Sequence, residues 1–123
     1  MRTILVVEDD ADLRYVFRTA LSFAGFSVKE AGDGYDALRI IDQHPPDLVV
    51  LDLMLPMISG FAVQQEIASQ VVTRDIPVVI VTGSAKPIDE SQVACVLRKP
   101  VRPDELVAAV RRCIRAGAQG AHF

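Results

Sequence analysis

Apolar residues recur along the chain in two alternating rhythms. The stretches 3–7 (TILVV), 47–52 (DLVVLD) and 76–82 (IPVVIVT) are near-continuous apolar runs rich in β-branched residues, the pattern of strands buried on both faces. The stretch 95–99 (CVLRK) predicts a further strand, and 26–30 (FSVKE) alternates as an edge or half-exposed strand does. Between them the spacing turns helical. Leu13, Val16, Phe17, Ala20, Leu21 and Ala24 predict a helix over 12–25, with Asp10 as its N-cap and Gly25 as its stop. Leu38 and Ile41 place a helix over 34–43, ended by 44–46 (HPP), and Phe61, Val63 and Ile67 place one over 60–70. The last helix, 103–117, has the clearest punctuation. Pro103 suits its first position, Asp104 and Glu105 its positive end, Arg111, Arg112 and Arg115 its negative end, and Gly117 its stop. The order β-α-β-α-β-α-β-x-β-α with right-handed crossovers is that of a doubly wound α/β fold on a five-stranded parallel sheet. Such folds bind ligands beyond the carboxyl ends of their strands.

Composition narrows the class without naming a chemistry. The 123 residues, half of them hydrophobic and 24% charged, fit one packed domain over 1–117, with a small, polar tail over 118–123 expected to be flexible. A net charge of −3 and the lack of a basic face give no case for nucleic acid binding. Cys95 and Cys113 form no metal or redox spacing and read as two reduced thiols. The N-terminus turns acidic after a short apolar run, unlike a signal peptide, and no apolar stretch approaches the ~18 residues of a membrane span. A cytoplasmic protein is therefore expected. His44 and His122 join no motif and read as a surface loop and the tail.

The strand ends carry the chemistry. Glu8 and Asp9 follow the first strand, Asp52 ends the third, Thr82 the fourth and Lys99 the fifth. Three carboxylates facing one pocket repel, which raises at least one pKa or calls for a divalent cation. Mg²⁺ prefers few carboxylates together with waters and a phosphate. A lysine and a threonine beside them suit phosphoryl oxygens. Singly, each residue has a plainer reading: a helix cap, a solvated lysine, a satisfied hydroxyl. Jointly, those readings require coincidence at four strand ends.

With "LVVEDD", "DLVVLDLMLPMISG", "VIVTG" and "LRKP" in this order, the sequence resembles the receiver domain of two-component response regulators from residue 3 to about 116. The resemblance implies a flavodoxin-like (βα)5 fold with strand order 2-1-3-4-5. It makes Asp52 the phosphoacceptor, Glu8 and Asp9 the acidic pair for Mg²⁺ with Asp9 the direct ligand, and the carbonyl of Met54 a further ligand. Thr82 becomes the switch hydroxyl, Lys99 the phosphate-binding cation, and the Lys99–Pro100 bond cis. It implies a histidine kinase or phosphotransfer protein as donor, a downstream protein as target, and no enzymatic activity beyond assisting its own phosphorylation and dephosphorylation. A haloacid dehalogenase type of phosphatase would want an aspartate where Met54 stands.

The chain departs from the family in several places. Thr82 follows Asp52 by the usual 30 positions, but Lys99 follows Thr82 by only 17, several fewer than the family's common spacing. With Pro87 in that segment, the fourth helix is expected to be very short or absent, which puts the usual output face in doubt. Val96 stands where an aromatic often couples to the switch threonine, and Val101 replaces a common phenylalanine. An apolar Met54, beside Asp52, predicts slow hydrolysis of a phosphoaspartate. Asp52, the last residue of its strand, is expected to emerge at the sheet's edge unburied. A stand-alone, phosphorylatable receiver is the leading expectation. The alternatives are a pseudo-receiver that binds partners without a phosphate switch, and a receiver cut from a longer regulator or hybrid kinase.

Overall fold

The structure, a computed structural model, describes residues 1–120, with side chains in the last helix described as far as Ile114. Its strands are β1 (Thr3–Val7), β2 (Ser27–Ala31), β3 (Leu48–Asp52), β4 (Val78–Thr82) and β5 (Cys95–Arg98). They form one parallel sheet in the order β2-β1-β3-β4-β5. The helices are α1 (Ala11–Phe23), α2 (Gly34–Gln43), α3 (Gly60–Ser69) and α4 (Pro103–Gly120). β3 and β4 are buried at every position, as their unbroken apolar runs require, whereas the alternating β2 is a half-buried edge.

Because side chains alternate across a strand, the sheet builds two cores. Ile4, Val6, Leu48, Val50, Val79 and Val81 meet Phe17 and Leu21 of α1 and Leu106 and Val110 of α4 on one face. Leu5, Val7, Val49, Leu51, Val78 and Ile80 meet Ala37 and Ile41 of α2 and Val63 and Ile67 of α3 on the other. Each fully buried aliphatic or Phe side chain contributes about 1.5–3 kcal/mol relative to exposure. This is the force that flattens the helices on the sheet.

The helix ends follow local chemistry. Asp10 caps α1, accepting from the backbone N–H groups of Asp12 and Leu13, and Asp33 and Ser59 cap α2 and α3. Gly25, at φ +99°, takes the left-handed turn just past α1. The crossover from β4 to β5 holds one 3-10 turn, Glu90–Gln92, in place of a helix, as the short spacing and Pro87 predict.

α4 corrects the sequence reading at its far end. It runs on through Gly117 to Gly120, so part of the expected tail is helical, and 121–123, with His122, lie outside the described residues. Gly117 is tolerated because glycine inside a helix costs only about 1 kcal/mol. The arginines therefore do not occupy the last turn. Arg111 and Arg112 are exposed, the side chain of Arg115 lies outside the described residues, and His44 is exposed at the end of α2. No helix among the described residues is long and apolar enough to cross a membrane.

Candidate functional site

Sheet register assembles the site. β1 and β3 pair Val7 with Leu51, so the next residues, Glu8 and Asp52, emerge side by side. β4 and β5 pair Thr82 with Arg98, which brings Lys99 to the same end. One carboxylate oxygen from each of Glu8, Asp9 and Asp52 lies within 4.8 Å of the others. The loop after β3 holds Asp52 in place. The backbone N–H of Met54 donates to Asp52 Oδ1 at 2.9 Å, and the N–H of Gly60 donates to the carbonyl of Leu53 at 3.1 Å. Gly60 is obligatory here: a Cβ would stand 2.3 Å from the Asp52 carbonyl oxygen. Met57 holds φ 65°, a left-handed conformation that costs a non-glycine residue about 1–2 kcal/mol.

Asp52 does not emerge into solvent. It is 2% exposed, and Glu8 is 1% exposed. Burial is tolerable because Lys99 Nζ donates to Glu8 Oε1 at 2.8 Å and to Asp52 Oδ2 at 3.2 Å, placing one cation between two carboxyl groups. Glu8 Oε2 also accepts from the N–H of Asp10. Burial still dominates: it pushes the Glu8 carboxyl up to about 7 against the lowering by Lys99 and Asp10, and repulsion from Asp52 adds less. For Lys99, burial works downward, but the hydrogen bonds to Glu8 and Asp52 outweigh it and hold the ammonium above its ordinary value. Asp9 is exposed, while both oxygens of Glu8 are engaged. The donor set, three carboxylates around one point, is that of a hard divalent cation, with Asp9 the oxygen donor most open to it.

The response regulator receiver domain family matches residues 4–111. The chain belongs to that family. The receiver is 37% identical over 117 residues to a probable transcriptional regulator ycf27 of Porphyridium aerugineum, covering 91% of this chain and 48% of that protein. It is 33% identical to the phosphate regulon transcriptional regulatory protein PhoB of Pseudomonas aeruginosa, covering 97% of this chain and 54% of that protein. The receiver thus spans about half the length of the curated relatives it matches. A putative response regulator from Chloroflexus aurantiacus superposes with a TM-score of 0.85 at 27% identity, over 93% of this chain and 98% of that one. The chemotaxis response regulator CheY4 of Vibrio cholerae shares the fold, with a TM-score of 0.84 at 24% identity over 92% and 98% of the two chains.

Within the receiver, Thr82 joins the charged cluster only through its backbone, its carbonyl accepting from the Lys99 N–H at 2.8 Å. It is buried, and its Oγ1 accepts from the N–H of Ser84 at 3.1 Å; among the described residues it makes no hydrogen bond to Asp52. The Lys99–Pro100 bond is cis. Val96 and Val101 are half-buried against the two cores. Two positioning arginines escaped the sequence reading. Arg14 of α1 donates to the Glu8 carbonyl at 2.6 Å and pairs with Glu30 at 3.5 Å. Arg98 donates to the carbonyls of Ser84 and Lys86, tying down the loop after β4. Neither lies in a strand-end acidic motif; only Arg98's place next to Lys99 signals it. Cys95 and Cys113, 18 positions apart, share one core as free thiols, and burial, then Cys95, pushes Cys113 up to about 11.

Proposed function

We propose that this receiver takes a phosphoryl group on Asp52 from the phosphohistidine of a kinase or phosphotransfer protein and then signals to a partner protein. One observation carries the reading: a buried aspartate at the end of a central strand, 3.2 Å from an ammonium and beside two more carboxylates. An oxygen of Asp52 attacks phosphorus, an O–P bond forms, and the P–N bond to the donor histidine breaks as imidazole leaves. Lys99, freed from part of its pairing with Glu8, follows the charge onto the phosphoryl oxygens. The N–H of Met54 is a second donor at the same carboxylate. Glu8, Asp9, Asp52 and the Met54 carbonyl would hold Mg²⁺, which when bound offsets negative charge on the phosphoryl oxygens. Thr82 would release the Ser84 N–H and turn its hydroxyl to the new anion, moving the loop.

No turnover on small phosphoesters is proposed, since Met54 takes the place of a second acid. The protein would work in the cytoplasm, without touching nucleic acid itself. The helix-free crossover favours one competing reading, a pseudo-receiver that binds partners unswitched. Incubation with Mg²⁺ and acetyl phosphate separates them: the wild type gains the mass of one phosphoryl group and Asp52→Asn does not. No gain in the wild type, where a known receiver labels, overturns the proposal.

A further inference from the structure

Phe23, the last residue of α1, is 90% exposed. A lone exposed phenyl needs no explanation, but this one borders an open groove of about 410 Å³ between α1 and α4. Ala20 and Ala24 line the α1 side with it. Pro103, Asp104, Val107, Ala108 and Arg111 line the α4 side. Asp104 and Arg111 are its only charged residues, and the rest are apolar. Residues 104, 107, 108 and 111 stand at i, i+3, i+4 and i+7, which makes one stripe down the helix. Asp104, Ala108 and Arg111 are exposed, and Val107 is half-buried.

The stripe is its own complement. A two-fold axis across a helix sets two copies antiparallel, and each contact is made twice. An axis between Val107 and Ala108 brings Asp104 of one copy to Arg111 of the other, and symmetry repeats the pair at the far end. The acid and the base lie seven residues, about 10 Å, apart along α4, with the apolar pair midway. Ala108 at the centre lets the two helices approach closely. The flanking charges agree with this pairing. Arg102 pairs with Asp104 at 3.3 Å and with Glu105 at 3.2 Å, so that end keeps a net negative charge, while Arg111 and Arg112 make the other end positive. The pairs of Arg102 are exposed and weak, which leaves Asp104 open to a second cation. A partner surface of one sign would match one end of the stripe and repel the other; a second copy matches both. We propose that the α1–α4 groove is the interface of a two-fold dimer of this chain. Val107 and Ala108 lie at its centre, two Asp104–Arg111 pairs at its ends, and Phe23 beside the stripe. Burial of the phenyl supplies affinity, and the charge pairs fix the register.

The test is sedimentation equilibrium of the full chain between about 10 μM and 1 mM. The mass of the wild type should rise from that of one chain toward that of two. Asp104→Arg alone and Arg111→Asp alone each set like charges together at both ends, and each should weaken association about tenfold. An equimolar mixture of the two single variants has opposite charges at both ends again, and so does the double exchange. Both should associate within about threefold of the wild type. Phe23→Ser should weaken association about thirtyfold. A wild type that stays monomeric throughout overturns the proposal. So does a dimer that the single reversals or Phe23→Ser leave unchanged, or one that neither the mixture nor the double exchange restores. If a single reversal fails to fold, the double exchange and Phe23→Ser decide: the first must dimerise and the second must not.

Discussion

Glu8 lies 2.8 Å from an ammonium and yet keeps its proton up to about pH 7, because burial outweighs the ion pair. Its folded pKa is therefore above the unfolded value of 4.5. Protonated Glu8 favours the folded chain, so its contribution is fully present below pH 4.5 and is lost as the pH rises through 7. In EDTA, Glu8→Gln should gain Tm relative to the wild type between pH 5 and pH 8; thermal melts across that range check it, and a gap that narrows with pH contradicts it. The same residue scale explains why the expectation of an unburied Asp52 failed. The cost of burying a carboxylate is legible in the local sequence. Its compensation is not, because Lys99 stands 47 positions away and reaches Asp52 only through the sheet. The acidic residues and Lys99 could be named from strand ends; Arg14 could not, since its contact is to a backbone carbonyl. Met54, 63% exposed beside the carboxylate, offers no group to orient an attacking water. A phosphorylated wild type should hold its label well beyond seconds, and Met54→Asn should shorten the lifetime several-fold, read as decay of the mass gain.

At the scale of elements, the loop from β3 into α3 is the tightest joint. A methyl at residue 60 would meet backbone atoms at 2.3 and 2.5 Å, and backbone cannot swing aside as a flexible side chain does. Gly60→Ala should cost about 1–3 kcal/mol in denaturant melts. It should also slow labelling of Asp52 by about ten- to a hundredfold, because the strand end that carries the carboxylate is what must shift. A normal labelling rate in a destabilised variant would separate folding from positioning and reject the second half of this claim. The elements themselves were almost all legible. Period-2 and continuous apolar runs, caps at Asp10 and the missing fourth helix followed from spacing and Pro87. The end of α4 is not legible, because Gly117 reads as a stop while the helix continues past it at a small penalty.

At the scale of the whole molecule, the question is how a change at Asp52 leaves the site. β4 and β5 are packed against both cores, so strand movement is costly, while the loop after Thr82 is tied by few bonds. In those bonds the Ser84 N–H donates to Thr82 Oγ1, the Lys86 N–H donates to Ser84 Oγ, and exposed Arg98 donates to the carbonyls of Ser84 and Lys86. With Val96 in place of an aromatic, no ring can rotate to report the state of Thr82. If Asp52 is phosphorylated as proposed, the expected routes are the loop after Thr82, which leads into the crossover, and the face near α1; the loop, tied by fewer bonds, is the favoured one. Hydrogen exchange with and without phosphorylation should therefore change over 83–94 and stay constant in α4. Arg98→Ala should raise basal exchange at Ser84 and Lys86, erase most of the phosphorylation-dependent difference, and leave labelling of Asp52 intact. Its stability should fall by no more than about 1.5 kcal/mol, since its bonds are exposed. If exchange instead changes in α4 and Arg98→Ala behaves as the wild type, the signal leaves through the helix face and the loop is a bystander.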